Sequence, residues 1–227
     1  MSAVSNLDGK NLADKVADEL RAAIQQGRYE PGTRLVERRL ATELGISHVP
    51  IREALARLAD EGLVERLPRR GSRVANLSPK QLDELSSLRI VLEGFVVTRV
   101  QERLTPQAEA SVRKIVARMS EAAQAGDVHR VFDLDQRFHE HLWHLADHEM
   151  LFESVAQRRG RINAFLRAAT SALDTSELVL HAAAHAELVD AIASGDPQAA
   201  RDAMTRHIEL GLARIRRSLA AGTEGQR

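Results

Sequence analysis

The chain contains 227 residues, of which 44% are hydrophobic, 28% are charged and only 3% are aromatic. This composition is typical of a chain that buries a core, and the scarcity of aromatic residues favours helices over an all-β fold. The chain has no cysteine, which excludes disulfides, cysteine-ligated zinc, iron–sulfur clusters and thiol nucleophiles. Because no apolar stretch approaches the ~18 residues of a membrane span and residues 1–10 do not form a secretory signal, we expect a cytoplasmic protein without membrane contact.

The formal net charge is zero, with 32 basic and 32 acidic side chains, but the charge is unevenly distributed. The segment from Arg66 to Arg73, RLPRRGSR, carries four arginines and no acidic residue. Phosphates dock where the local field is positive, whatever the net charge of the whole chain. This run alone does not separate a nucleic-acid contact from a solvated basic loop.

Residues 1–77 predict the plan of a winged helix-turn-helix. Apolar periodicity and turn residues predict three helices and a two-stranded hairpin, with helices over about 10–27, 36–44 and 48–60 and extended pieces at 63–65 and 72–74. Ser47 is expected to be the N-cap of the third helix, with Pro50 in its first turn, where a missing N–H costs nothing.

Long amphipathic helices are predicted from Ser78 onward, and several begin with a cap residue followed by proline, as in Ser78-Pro79 and Thr105-Pro106. The expected helices cover about 78–103, 105–125, 127–147, 149–171, 176–194 and 196–220. The predicted fold is therefore mainly α, with an N-terminal winged helix-turn-helix domain (1–77), a C-terminal all-α six-helix bundle (78–220) and a disordered tail (221–227).

The segment from Pro31 to Val74, PGTRLVERRLATELGISHVPIREALARLADEGLVERLPRRGSRV, resembles the winged-helix domain of the GntR superfamily of bacterial transcription regulators. Residues from about Ser78 to Leu219 resemble the all-helical effector-binding (FCD) domain of the FadR-type branch. The resemblance implies a DNA-binding transcriptional regulator, expected to be a repressor rather than an enzyme. It also implies a homodimer that binds double-stranded DNA at an inverted repeat.

By this resemblance, DNA contacts are expected from the helix-turn-helix and from the wing. A recognition helix places its first turn in the major groove, with cations toward phosphates and a small residue at the wing tip. Instead of contacting DNA, Arg52 could form a surface ion pair with Glu37 or Glu53, and Ser47 could serve only as the helix cap. Many relatives carry arginine where this chain has His48, which cannot make the forked contact with guanine. The expected DNA-binding residues are Arg38, Ser47, His48, Pro50, Arg52, Arg69, Arg70 and Gly71.

Four predicted helices of the second half carry polar side chains on apolar stripes, where an unpaired charge would be very costly. Asp135 and His139 lie four positions apart and therefore face the same way on one helix. With His185 and His207 they form a ligand set suited to zinc, nickel or manganese, and the set resembles the metal-binding pattern of FadR-type domains. His181, one turn from His185, is the substitute ligand.

Arg89 lies within LRIVLE, which resembles the pattern that opens the FadR-type domain. The resemblance implies that Arg89 clamps a small carboxylate effector, an organic or sugar acid, that bridges the guanidinium and the metal. An internal salt bridge with Asp135 or Glu93 is the alternative. A purely structural metal and a metalloenzyme that activates water are the competing interpretations of the cluster.

Overall fold

The computed structural model of the chain describes residues 11–67 and 70–224. The chain forms two compact units, and the boundary in sequence falls between Asn76 and Leu77. The described residues are mainly helical, as the sequence predicts, with a small sheet confined to the first unit. Within these residues, no helix is long and apolar enough to cross a membrane.

The first unit has three helices and three short strands in its described part: α1 Leu12–Gln25, β1 Arg34–Leu35, α2 Glu37–Leu44, α3 His48–Asp60, β2 Val64–Leu67 and β3 Gly71–Val74. The strands pair antiparallel in the order β1-β3-β2, with Val64 opposite Val74 and Arg34 opposite Arg73. The prediction of a two-stranded hairpin was therefore incomplete. The missing strand β1 is two residues long, too short to show an alternating pattern.

Helix α1 begins after Asn11, whose side chain accepts from the backbone N–H of Asp14, 2.9 Å away, in a capping box. Its buried face follows Val16, Leu20 and Ile24, whereas Leu12, the first residue of the helix, is half exposed. Together with the buried apolar residues of α3, this face forms the core of the first unit.

The second unit consists of six helices in its described part: α4 Pro79–Glu102, α5 Pro106–Gln124, α6 Val128–Leu145, α7 Glu149–Ser171, α8 Thr175–Ala193 and α9 Pro197–Glu224. Ser78 and Thr105 cap α4 and α5 as predicted, each accepting a hydrogen bond from the third helical residue. The start predicted for α8 at Ser176 was wrong, because Asp174 is the N-cap and Glu177 completes a capping box with it.

Helix α9 ends at Glu224 rather than at the predicted residue 220, so residues 221–224, assigned to a disordered tail, are helical. The last three residues of that predicted tail lie outside the described residues. Most apolar side chains of the second unit form one large core, and its fully buried members include Met119, Phe138, Leu142 and Leu188. The polar residues described next lie against this core.

Candidate metal centre and nucleic-acid interface

The four candidate metal ligands come together inside the second unit. Asp135 and His139 lie on α6, His185 on α8 and His207 on α9. All four side chains are buried, and one ligand atom from each lies within 4.8 Å of the others. The i, i+4 spacing on α6 places its two residues on one inward face. Three helices thus bring one carboxylate and three imidazoles to a single point.

Two of the imidazoles are oriented by their second nitrogen. His185 Nδ1 donates to the carbonyl oxygen of His181 at 2.8 Å, and His139 Nδ1 donates to Glu93 Oε2 at 3.1 Å. In a neutral ring with its proton on Nδ1, Nε2 carries no proton and presents a lone pair. Backbone carbonyls and carboxylates hold metal-ligating histidines in this tautomer. Both rings are therefore prepared to present Nε2 as a ligand.

The prepared Nε2 atoms face other electron-rich atoms at short distances. His185 Nε2 lies 3.0 Å from Asp135 Oδ1, and His139 Nε2 lies 3.1 Å from His207 Nε2. Lone pairs that face one another in a buried space repel unless a cation or a proton lies between them. The donor set of one carboxylate oxygen and three imidazole nitrogens is one that divalent transition metals prefer. The residues present therefore fit a metal ion.

The protonation states of the cluster match what a metal requires of its ligands. Burial, with Arg159 nearby, lowers the pKa of His139 to about 4, and burial holds the pKa of His207 well below its usual range. Burial would raise the pKa of Asp135, but the nearby Arg159 guanidinium outweighs it and holds that pKa well below its usual range. At neutral pH the carboxylate is therefore ionised and these two rings are neutral, the forms that bind metal.

Arg159 on α7 is a member of the site that the sequence analysis missed. Its Nη2 donates to Asp135 Oδ2, so the guanidinium and the imidazoles contact opposite oxygens of one carboxylate. Arg159 follows Val155 by one turn and precedes Ile162 by one turn, on an apolar stripe of α7. A charged residue on an apolar stripe could have been recognised from the sequence, as the candidate metal ligands were.

Arg89 on α4 forms the internal salt bridge that was its alternative interpretation. Its Nε and Nη2 both donate to Glu93 Oε1, at 2.9 and 2.6 Å, and both side chains are buried. Burial would raise the pKa of Glu93, but Arg89 and His139 outweigh it and lower that pKa well below its usual range. Because Glu93 also accepts from His139, the pair links Arg89 to the ligand set.

A small cavity lies beside the four ligands, between α4, α6, α7, α8 and α9. Three guanidiniums reach it, from Arg89, Arg159 and Arg214, and its polar lining also includes the candidate ligands Asp135 and His207 together with Thr170 and His181. Gly211 of α9 lies in its apolar wall, where an added Cβ would come within 3.5 Å of Leu166 Cδ2. The cavity is therefore rich in hydrogen-bond donors and has little room.

His181, the substitute ligand, is buried next to the cluster but is not one of the four converging groups. Its Nε2 lies 3.4 Å from Asp135 Oδ1, and its Nδ1 lies 2.8 Å from Arg214 Nη1. Two further histidines lie outside the cluster: His148 caps α7 by accepting from the N–H of Leu151, and half-buried His141 contacts Ser111 Oγ. These two therefore have structural roles.

In the first unit, the turn between α2 and α3 presents an exposed polar surface. Ser47, His48 and Arg52 are exposed at the start of α3, with Pro50 partly covered, and Arg38 is exposed on α2. Ser47 occupies the N-cap position, but its side chain makes no capping hydrogen bond within the described residues. Arg52 Nε lies 3.3 Å from Glu37 Oε2, the surface pair expected as its alternative, and remains 62% exposed.

The wing is the segment that joins β2 to β3, and Arg70 is its described part. Gly71 opens β3 with a φ of +83°, a left-handed conformation that side chains with a Cβ adopt only with strain. Arg70 is exposed beside it, and the carbonyl of Arg70 accepts from Arg34 Nη2 at 3.0 Å. Arg69 lies outside the described residues. The wing therefore offers exposed cationic and backbone groups on the same unit as α3.

Both units match known families. The first matches the bacterial regulatory proteins of the gntR family over residues 12–74, and the second matches the FCD domain over residues 84–210. The chain is 30% identical, over 97% of its length and 92% of the relative, to an uncharacterized HTH-type transcriptional regulator in an unstable DNA locus of Streptomyces ambofaciens. It is 32% identical to a probable D-xylose utilization operon transcriptional repressor of Paenarthrobacter nicotinovorans, over 87% of this chain and 85% of the relative.

The HTH-type transcriptional regulator McbR of Escherichia coli K12 is 27% identical over 89% of this chain and 92% of its own length. Its solved structure, E. coli McbR/YncC, superposes with a TM-score of 0.80 at 26% identity, covering 92% of this chain and 99% of that one. These families and relatives are DNA-binding transcriptional regulators and not enzymes. The chain therefore belongs to the GntR family of bacterial transcriptional regulators and carries an FCD domain in its helical half.

Proposed function

We propose that this protein is a homodimeric transcriptional repressor whose binding to an inverted-repeat operator is controlled by a small organic acid at a metal-containing site. Residues 1–77 bind DNA, and residues 78–220 bind the metal and the effector and form the dimer. The observation that carries the metal assignment is the convergence of Asp135, His139, His185 and His207 within 4.8 Å in a buried space. The metal is a divalent transition ion, zinc, nickel or manganese.

The DNA-binding residues of this proposal are Arg38, Ser47, His48, Pro50, Arg52, Arg69, Arg70 and Gly71. Those that the structure describes lie at the start of α3, on α2 and on the wing, and the arginines among them are exposed. A helix of this kind reads base edges with its first turn, and cations beside it contact phosphates.

A homodimer is supported by an apolar stripe on α4, where Leu88, Val91 and Phe95 are all more than 40% exposed.

The metal and the effector should both stabilise the second unit. A metal that binds only the folded protein raises the melting temperature by mass action. An acid can change DNA affinity only if it binds two arrangements of the protein unequally. Arg89 supplies one of the three guanidiniums around the cavity that would receive the acid.

The test of the metal assignment is a thermal-melting series with metal analysis on the protein as purified, after chelation and after addition of zinc, nickel or manganese. We expect chelation to lower the melting temperature and one of the ions to restore it. His185→Ala should lose the metal, whereas His129→Ala, which removes an exposed histidine of α6, should retain it. An unchanged melting temperature after chelation, or full metal content in His185→Ala, would show that the site is wrong.

The test of the DNA assignment is a gel-shift titration with the promoter region of the gene itself. Arg52→Ala should abolish specific binding, and Arg28→Ala, which removes an equal charge from another exposed position of the same unit, should not. The affinity of the wild-type protein should fall steeply with salt, because phosphate contacts release counterions. Specific binding that survives Arg52→Ala would overturn the assignment of α3 as the recognition helix.

A further inference from the structure

We propose that the acid group of the effector is held by Arg159, His181 and Arg214 rather than clamped by Arg89, and that the rest of the effector lies in an apolar groove between α8 and α9. The effector class is therefore a monocarboxylate with an apolar chain or ring. This inference rests on the proposed function and specifies the ligand of the same site.

Two buried nitrogens at the inner cavity make no hydrogen bond. Arg159 Nε has no hydrogen-bond partner among the described residues, and His181 Nε2 has a contact of 3.4 Å with Asp135 Oδ1 that does not meet hydrogen-bond geometry; both residues are only 4% exposed. A buried donor without an acceptor costs free energy, and such groups in native proteins call for a ligand, an ion or a water. Both residues line the cavity beside the metal ligands.

The contact with Arg214 fixes the chemical character of His181. Arg214 Nη1 lies 2.8 Å from His181 Nδ1, and a guanidinium can only donate, so Nδ1 is the acceptor of this bond. The proton of the neutral ring is therefore on Nε2. Arg159 Nε and His181 Nε2 are thus both N–H donors, and the complementary ligand is an anion that offers oxygens to both.

Arg89 is poorly placed for the same task, because its Nε and Nη2 are both engaged by Glu93 Oε1. A carboxylate that displaced Glu93 would leave that buried acid without its counterion. Arg159 has no such conflict, since Nη2 holds Asp135 and Nε is left over. The structure therefore favours Arg159 over Arg89 as the direct anion contact.

The size of the cavity sets a second condition on the ligand. The inner cavity has about 10 Å³ of free volume, enough for a water-sized group and too little for a carbon skeleton. A second cavity of about 230 Å³ opens on the surface between α8 and α9, and His181 and Arg214 belong to the walls of both. These two side chains therefore form the boundary between the inner space and the surface groove.

The walls of the groove are largely aliphatic. They include Leu173, Leu180, Ala184, Leu210 and Ala213, and the charged Glu177 and Arg217 form an ion pair at 3.6 Å. Leu180 and Leu210 are 70% and 54% exposed, so the groove has apolar surface left to cover. Donors at the inner end and aliphatic walls outside match a molecule with one acid group and an apolar body.

The test is calorimetric titration of the metal-loaded protein with acetate, butyrate, hexanoate and adipate. Affinity should rise about fourfold per added methylene from acetate to hexanoate, as expected when each CH₂ is buried. Adipate should bind more weakly than hexanoate, because its second carboxylate would enter the apolar groove. Arg214→Gln should weaken every acid at least about tenfold, as expected for loss of a charged hydrogen bond.

Matched variants separate the groove from the acid site. Leu180→Ser combined with Leu210→Ser should flatten the dependence on chain length and leave acetate unchanged, while Val179→Ser, at an exposed residue of α8 outside the groove walls, should resemble the wild type. The two leucines are exposed, so this arm remains valid if Arg214→Gln does not fold. Metal content is measured in every sample, so failure of the metal site is seen independently of the acids.

Four results would overturn the inference while metal binding stands. Three concern the acids: equal affinity along the series, tighter binding of adipate than of hexanoate, and no binding of any acid. The fourth is loss of the dimer in the double leucine variant, which would mean that a second copy of the chain binds in the groove.

Discussion

The two units of the chain differ in whether their key charged side chains are exposed or buried. The arginines at the start of α3 and on the wing are exposed, and the pair of Arg52 with Glu37 is open to solvent. In the second unit, Arg89, Glu93, Asp135 and Arg159 are buried with four histidines around them. An exposed pair contributes little to stability and is free to exchange partners, whereas a buried group must stay paired. The first arrangement suits a surface that meets a polyanion, and the second suits a site that must keep one geometry.

The largest expected difference is in the cost of removing one partner. Glu93→Leu leaves Arg89 buried without its counterion and should lower the free energy of unfolding by about 3–5 kcal/mol. The matched change Glu102→Leu, at an exposed carboxylate near the end of the same helix, should cost less than about 1 kcal/mol. Guanidinium unfolding of both variants gives the comparison. Equal costs would mean that the buried pair is not what holds the site together.

The next largest effect is expected in the second unit, whose stability should fall as the pH is lowered. In the chelator-treated protein, burial lowers the pKa of His139 and of His181 to about 4, whereas both titrate near 6.5 when unfolded. Between these values the unfolded chain takes up protons that the folded chain excludes, so stability falls as the pH falls. Each histidine should contribute a loss of about 3 kcal/mol between pH 6.5 and pH 4. Unfolding free energies measured across this range would contradict the prediction if they stayed constant.

The smallest effect on stability is expected in the first unit. Arg52→Ala removes a side chain that is 62% exposed and should change the free energy of unfolding by less than about 0.5 kcal/mol. The same variant should lose specific DNA binding, so stability and function separate at this residue. Circular-dichroism melting of the preparation used for gel shifts checks both. A large drop in stability would mean that Arg52 is a structural residue.

The fold was largely predictable from local signals. Ser78-Pro79 and Thr105-Pro106 mark helix starts because capping and the geometry of proline act within a few residues. The candidate ligands were found because a polar residue on an apolar stripe must be buried. Strand β1 was missed because its two residues are defined by pairing with β3, which is a long-range contact. The salt-bridge partners of the buried arginines could not be predicted either, because the sequence spacing left Arg89 with two possible acidic partners and indicated none for Arg159.

Gly211 shows that the wall of the cavity is not built for maximum stability. Glycine in the middle of a helix costs about 1 kcal/mol relative to alanine, and an alanine Cβ here would meet Leu166 at an ordinary contact distance of 3.5 Å. Alanine would therefore fit and would stiffen α9, but it would also fill part of the inner cavity. Selection for a robust helix alone would favour alanine at this position. The glycine marks a place where the stability of α9 and the volume of the cavity compete, and a stabilised version of this regulator should leave it unchanged.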